Sequence, residues 1–291
     1  MGNKSSSKAP PPSPLFEEPW RKTTCWGTKQ ENLKYLKNFQ PQHEEVKTIR
    51  VLLHGPVGAG KSSFISSVNN ILQGRMTDEV LASYTHGEKS FTKKYKTYKI
   101  KKGGPGNFYP FVFNDIMGLE DEDGRGVRVE DIKLALKGNM KDDYKFNDRS
   151  PLSDGDSGYN FSPSISDKVH VLLCIYSANA SEMKSPVLQK MKEVREAASD
   201  LGIPQVAILT HIDEACVETK KTLRNIYKSK YLKKKMDDFQ SSVGIPLNRI
   251  FPLKNYSYET ELDSDIDDLI LYALRQIIDF GDDFTVNLCL Q

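Results

Sequence analysis

Apolar residues fall into short solid runs, and between the runs they recur at helical spacing. Ile49 to Leu53 is β-branched and leucine-rich, Phe108 to Phe113 is aromatic, Val169 to Tyr176 is almost continuously apolar, and Pro204 to Leu209 and Arg249 to Leu253 complete the series. Such runs suit strands buried on both faces, as in a parallel sheet. Ser90 to Ile100 alternates instead and reads as a further strand. Phe64, Ile65, Val68, Ile71 and Leu72 repeat at helical spacing, as do Leu188, Met191, Val194, Ala198 and Leu201, with Gly202 as a stop. Val127 to Leu136, the basic stretch Ala215 to Val243 and the stripe Ile266 to Ile278 add further helices. Strands alternating with helices predict an α/β domain of three layers with a mostly parallel sheet.

The polar stretches set the boundaries. Residues 3 to 15 are rich in Ser, Lys and Pro and are expected to be disordered. Phe16, Trp20 and Trp26 are expected to dock onto the domain that follows, and Leu33, Tyr35, Leu36 and Phe39 mark a short helix leading into it. The division expected is a tail and docking segment over 1–44, a domain over 45–280 with an insertion at about 120–165, and a C-terminal tail over 281–291. Within the insertion, Lys141 to Phe161 is dense in Asp, Gly, Ser and Pro and is expected to form a mobile loop.

The stretch Thr48 to Asn70 carries the sharpest chemistry. Gly55-Pro-Val-Gly58-Ala59-Gly60-Lys61-Ser62 fits G-x-x-x-x-G-K-S/T at every required position, after a strand and before a helix. A polyphosphate needs many N–H donors converging on its oxygens, and glycines let the backbone curl to present them. The helix N-terminus adds its dipole. In a P-loop NTPase-type domain, Gly55, Gly58, Ala59, Gly60 and Ser63 would line the phosphates. Lys61 would meet the β- and γ-phosphates as the catalytic cation, and the Ser62 hydroxyl would ligate Mg²⁺.

Two later segments fit a nucleotide switch. A hydroxyl between this helix and the next strand would complete Mg²⁺ coordination when a γ-phosphate is present; Thr92 is the first choice, as metal ligand and catalytic residue, and Thr85 the second. Asp115-Ile-Met-Gly118 closes an apolar strand as D-x-x-G: the carboxylate would hold the metal's shell and the Gly118 N–H would sense the γ-phosphate. Leu119 follows, where small GTPases use a glutamine to orient the attacking water. Leucine neither accepts nor donates a hydrogen bond, so hydrolysis needs another residue, a partner, or is slow.

Thr210-His211-Ile212-Asp213 ends the strand that starts at Pro204. GTPases use N/T-K-x-D there, the Asp accepting from the guanine N1–H and 2-amino group, which adenine lacks; a site built for such donors rejects a base without them. Asp213 and Thr210 match, while His211 departs from the usual Lys. The other reading of Asp213 is an N-cap at a strand end. Lys254 and Asn255, in the exit loop of the last strand, are candidates to back onto the base.

Composition narrows the class. A net charge of +2 over 291 residues gives no field for nucleic acid. The four cysteines, Cys25, Cys174, Cys216 and Cys289, form no C-x-x-C pair, which argues against a zinc or redox motif and suits a reducing compartment. No run is long enough to span a membrane, and the N-terminus lacks the apolar core of a secretory signal. Met1-Gly2-Asn3-Lys4-Ser5-Ser6 fits M-G-x-x-x-S/T, which makes Gly2 a candidate for N-myristoylation. A single myristoyl chain gives only weak, reversible membrane association.

GPVGAGKS, SFTKKY, NDIMGLE, THID and PLKNY, in this order, resemble the interferon-induced protein 44 and 44-like family over about residues 45 to 280. The resemblance implies a P-loop GTPase-like domain, GTP or GDP as ligand, a cytoplasmic location, and a role with protein partners in the interferon-driven antiviral response. Larger members also carry an N-terminal TLDc domain; here a short tail precedes the similar region. Two functional classes follow. One is a guanine-nucleotide switch with slow or partner-dependent GTP hydrolysis, to which a nucleotide-dependent dimer would belong. The other is a non-catalytic GTP-binding adaptor at a membrane surface. His211 keeps an ATP-binding P-loop protein as a third reading.

Overall fold

The computed structural model describes residues 13–23, 25–77, 93–122, 126–147, 149–180 and 185–288. Its framework is the set of apolar runs. β1 (Ile49–His54), β3 (Phe108–Asp115), β4 (Val171–Ser177), β5 (Gln205–Thr210) and β6 (Ile250–Pro252) are parallel, and β2 (Lys96–Lys101) lies antiparallel on the edge, in the order β2-β3-β1-β4-β5-β6. The strand order reverses around β1, so the loop after β1 opens at the crevice where ligands of such sheets bind. Every β4 residue from Val171 to Tyr176 is buried, which explains the absence of polar alternation there. The edge strand β2 is the polar one, with only Ile100 buried.

Helices cover both faces. α1 (Lys29–Asn38), α2 (Lys61–Gln73) and the long α8 (Ser264–Leu288) pack together on one side, with α8 crossing β1 and β4. α3 (Val129–Leu136), α4 (Ser185–Asp200) and α7 (Lys230–Val243) form the second group. Aromatic spacing along β3 is the spacing of a packed face: Phe111 meets Phe113, and Phe113 meets Phe64 of α2 edge-on at 6.0 Å. The basic stretch after β5 is broken into α5 (Ile212–Ala215), α6 (Val217–Lys221), a 3₁₀ segment (Leu223–Lys228) and α7.

Two expectations change. Residues 281–288 are not a tail, because α8 continues to Leu288 with Gly281, Asp282 and Thr285 buried. Gly281 makes this possible: a Cβ there would lie 2.6 Å from Ile49 Cγ2 and 2.7 Å from Val171 Cγ2, so the helix rests directly on the sheet. The edge strand starts at Lys96, since residues 93–95 instead pair with the insertion, through Tyr95 N–H to Tyr144 O and Asp143 N–H to Tyr95 O. The segment before the domain docks on it, as its aromatic residues lead one to expect. Phe16 and Trp20 donate backbone N–H groups to Lys228 and Tyr227, Trp20 packs edge-on against Tyr227, and Cys25 and Leu36 are fully buried.

The described residues of 139–161 contain no helix or strand, yet they include core residues. Met140, Phe146 and Leu152 are buried, and the Leu152 N–H is held by Asp131 Oδ1 at 2.7 Å. Thr85 and Thr92, and the candidate acylation site Gly2, lie outside the described residues.

Candidate nucleotide-binding site

The loop from Gly55 to Gly60 joins β1 to α2, and its glycines are where the backbone requires them. Gly55 has φ +143°, and a Cβ on it would fall 1.9 Å from the Ile175 carbonyl oxygen. Gly60, at φ +90°, caps α2 with no side chain, so the free N–H groups of the first helical turn face the loop. Ala59 is buried behind the loop, Val57 stands partly exposed at its crest, and Ser63 is exposed on the first turn of α2. This is the concave array of amides and helix dipole that favours an anion.

Lys61 is buried, and its ammonium donates to the carbonyls of Gly55 at 3.1 Å and Pro56 at 3.0 Å. Burial lowers its pKa, against the attraction of Asp115 and Cys174. The Ser62 hydroxyl donates to Asp115 Oδ2 at 2.5 Å, across from α2 to the end of β3. A hydroxyl and a carboxylate from separate elements, meeting beside a phosphate-type loop, are hard oxygen donors of the kind Mg²⁺ takes with few protein ligands. Among the described residues no group of three or more His, Cys, Asp or Glu could hold a metal by itself.

The D-x-x-G segment lies along the loop. Leu119 N–H donates to Gly55 O at 3.0 Å and Val57 N–H to Leu119 O at 3.3 Å, so the two segments form a short parallel bridge. Gly118 must be glycine here, because a Cβ would sit 2.4 to 2.7 Å from Val57 atoms. Leu119 is buried on this bridge and brings no polar group to the site.

The THID and PLKNY loops arrive from the other side. Around Gly60, a Cβ would meet Asn255 Nδ2 at 3.0 Å, His211 Cε1 at 3.5 Å and Thr210 Cγ2 at 3.6 Å. Thr210 is buried, and its hydroxyl lies 2.7 Å from Ala59 O, 3.1 Å from Tyr176 O and 2.9 Å from His211 Nδ1. His211 takes a left-handed backbone, φ +54°, one that His adopts more readily than most residues. Asn255 Nδ2 donates to Gly60 O at 3.2 Å, and its Oδ1 is buried without a hydrogen bond.

Asp213 turns to the exit loop after β6. It pairs with Lys254 at 3.3 Å, and Lys254 in turn reaches Glu259 at 2.7 Å, with the Tyr258 ring 5.0 Å from the ammonium. Burial acts to lower the Lys254 pKa, but the Glu259 and Asp213 carboxylates outweigh it and raise it. Glu259 and Tyr258 carry no motif, and only the folded exit loop brings them beside Asp213. His54, just before Gly55, is also unmarked in the sequence: it is buried, with Nδ1 unpartnered, and burial with the Lys61 charge pushes it down to about 3.

No protein-family model matches the chain. Against curated proteins it is 36% identical over 258 residues to "Interferon-induced protein 44" of Pan troglodytes, and again 36% over 258 residues to that of Homo sapiens, in each case 88% of this chain and 57% of the relative. It is 35% identical over 257 residues to "Interferon-induced protein 44-like" of Homo sapiens, 88% of this chain and 56% of that one. The chain thus spans less than two thirds of the length of these relatives. Among solved structures, a dimerization-deficient mutant of Toc33 from Arabidopsis thaliana aligns at 14% identity and a TM-score of 0.49, covering 88% of this chain and 93% of that one. Toc33 in complex with GDP and Mg²⁺ aligns at 14% identity and a TM-score of 0.48, covering 89% and 94%.

Proposed function

We propose that this chain, which is a homologue of interferon-induced protein 44 and 44-like across 88% of its length, binds GTP and GDP with Mg²⁺ and acts as a guanine-nucleotide switch in the interferon-induced response. The observation that carries the nucleotide reading is the Ser62–Asp115 contact of 2.5 Å at the mouth of a glycine loop that ends in Lys61. A structural turn between strand and helix needs neither a buried lysine nor a hydroxyl–carboxylate pair drawn from two elements.

The roles follow from position. The loop amides and the N-terminus of α2 hold the phosphates. Lys61 leaves the carbonyls of Gly55 and Pro56 for phosphate oxygens, where its charge offsets theirs. Ser62 and Asp115 would hold Mg²⁺, which when bound supplies positive charge to the β- and γ-phosphates. Gly118 presents its backbone next to Val57, where a γ-phosphate is sensed. Thr210, Asn255 and His211 fix the base side against Gly60, and Asp213 selects guanine. Thr92, or failing it Thr85, is the proposed further ligand.

Leu119 supports the narrower reading that hydrolysis is slow in the isolated chain and depends on a partner or another residue. The same residue favours the second class, an adaptor that binds GTP and does not turn it over. Lys61→Ala should abolish GTP binding, read by titration calorimetry with Mg²⁺; full retention of affinity refutes the assignment. Competition of labelled GTP by ATP tests the guanine preference directly, and equal competition sinks it.

A further inference from the structure

Two carboxylates share one ammonium at the base side of the site. Lys254 lies 2.7 Å from Glu259 and 3.3 Å from Asp213, and the side chains of all three are only 14 to 16% exposed. Glu259 is held rigidly: its Oε2 accepts the backbone N–H of Ser257 at 2.9 Å and of Tyr258 at 3.2 Å. Lys254 also rests against the exposed Tyr258 ring. Beside the group a cavity of about 260 Å³ is lined by Asp213, Lys254, Tyr258 and Asp263.

We propose that Glu259 is a positioning residue for base recognition, holding Lys254 so that Asp213 is released to guanine. This rests on the reading of Asp213 as the guanine acceptor. The N1–H and 2-amino group of guanine form a two-pronged donor, which needs both oxygens of one carboxylate. With Asp213 alone, Lys254 would close a neutral pair and compete with the base. With Glu259 present, the three groups keep one negative charge in excess, and the closer carboxylate is the one that carries no role toward the base. Guanine then displaces a longer, shared contact, and the ammonium stays paired in a largely desolvated place where an unpaired charge is costly.

The test uses the full chain with Mg²⁺ and a fluorescent GTP analogue displaced by GTP. Glu259→Gln keeps an oxygen for the Ser257 and Tyr258 amides and removes the charge. It should weaken GTP roughly tenfold, the scale of one charged hydrogen bond. In a Lys254→Met background the same change should alter affinity less than about twofold, because no ammonium is left to compete. GTP affinity in Glu259→Gln equal to the parent's overturns the proposal. An equal loss with and without Lys254 also overturns it, since Glu259 would then act only on the loop's structure. Asp213→Ala separates this from the wider reading: a loss of GTP there, with Glu259→Gln silent, removes only the role of Glu259. Undiminished GTP affinity in Asp213→Ala removes both.

Discussion

The hydroxyl of Thr210 lies 2.7 Å from the carbonyl oxygen of Ala59, so the end of β5 is tied directly to the glycine loop after β1. The two residues are 151 positions apart, and both are buried. Through this contact the loop proposed to carry the base-side residues is held in fixed relation to the loop proposed to face phosphates. Asn255 repeats the tie from β6 by donating to Gly60.

Replacing Thr210 by Val keeps the shape and removes the hydroxyl. Ala59 O loses its hydrogen bond in a buried place, which costs about 1–3 kcal/mol. We expect a lower urea midpoint and weaker GTP binding together. A variant with parental stability and affinity would show that the tie has no consequence.

Leu119 contributes only backbone to the site. Leu119→Ala should therefore leave single-turnover GTP hydrolysis within about twofold of the parent, at a rate on the order of 10⁻³ s⁻¹ or below without a partner. A tenfold fall in Leu119→Ala would mean that the side chain assists the reaction.

Two buried histidines set an acid limit on stability. Burial and Lys61 push His54 down to about 3. Burial, with Arg50 adding and the Ile165 carbonyl opposing, pushes His170 down to about 4. His170 Nδ1 accepts the Arg50 N–H at 3.0 Å, so a proton there would face a donor. Both groups are neutral when folded, whereas in the unfolded chain they bind protons below about pH 6.5. The unfolded state thus takes up more protons, and stability falls as pH drops from 6.5 toward 4 and 3. Each histidine should cost about 2 kcal/mol by pH 5. Chemical denaturation at pH 7 and pH 5 measures this, and equal midpoints would contradict it.

Gly281→Ala tests why the last helix can lie on the sheet. The added methyl meets Ile49 and Val171 at under 3 Å, and overpacking of this kind costs about 1–3 kcal/mol. Thermal melting should reveal the loss. Because Gly281 lies outside the site, GTP affinity of the folded variant should be unchanged, and a large affinity loss would mean that the helix position reaches the loop.

Local pattern made much of this legible. The strand runs, the glycine loop and its helix, D-x-x-G, and the Thr at the end of β5 with the Asp just beyond it depend on neighbouring residues and a short period, and the structure has strands and helices at those places. Other features had no local sign. Glycine at 281 inside a helical stretch carries no marker of the sheet beneath it, and α8 runs about two turns past the boundary expected there. Lys141 to Phe161 reads as a mobile loop because composition is blind to which few side chains, here Phe146 and Leu152, turn inward. Glu259 lies in a polar run with nothing to separate it from its acidic neighbours.

The sequence by itself determined the order of the sheet's building blocks and the chemistry offered to a phosphate, since both are written in the spacing of residues close along the chain. The tertiary structure alone decided which distant groups share a charge or a hydrogen bond: Ser62 with Asp115, Thr210 with Ala59, and Lys254 between Asp213 and Glu259. Such pairings depend on how loops from separate strands converge at one edge of the sheet, and that convergence is set by packing across the whole core.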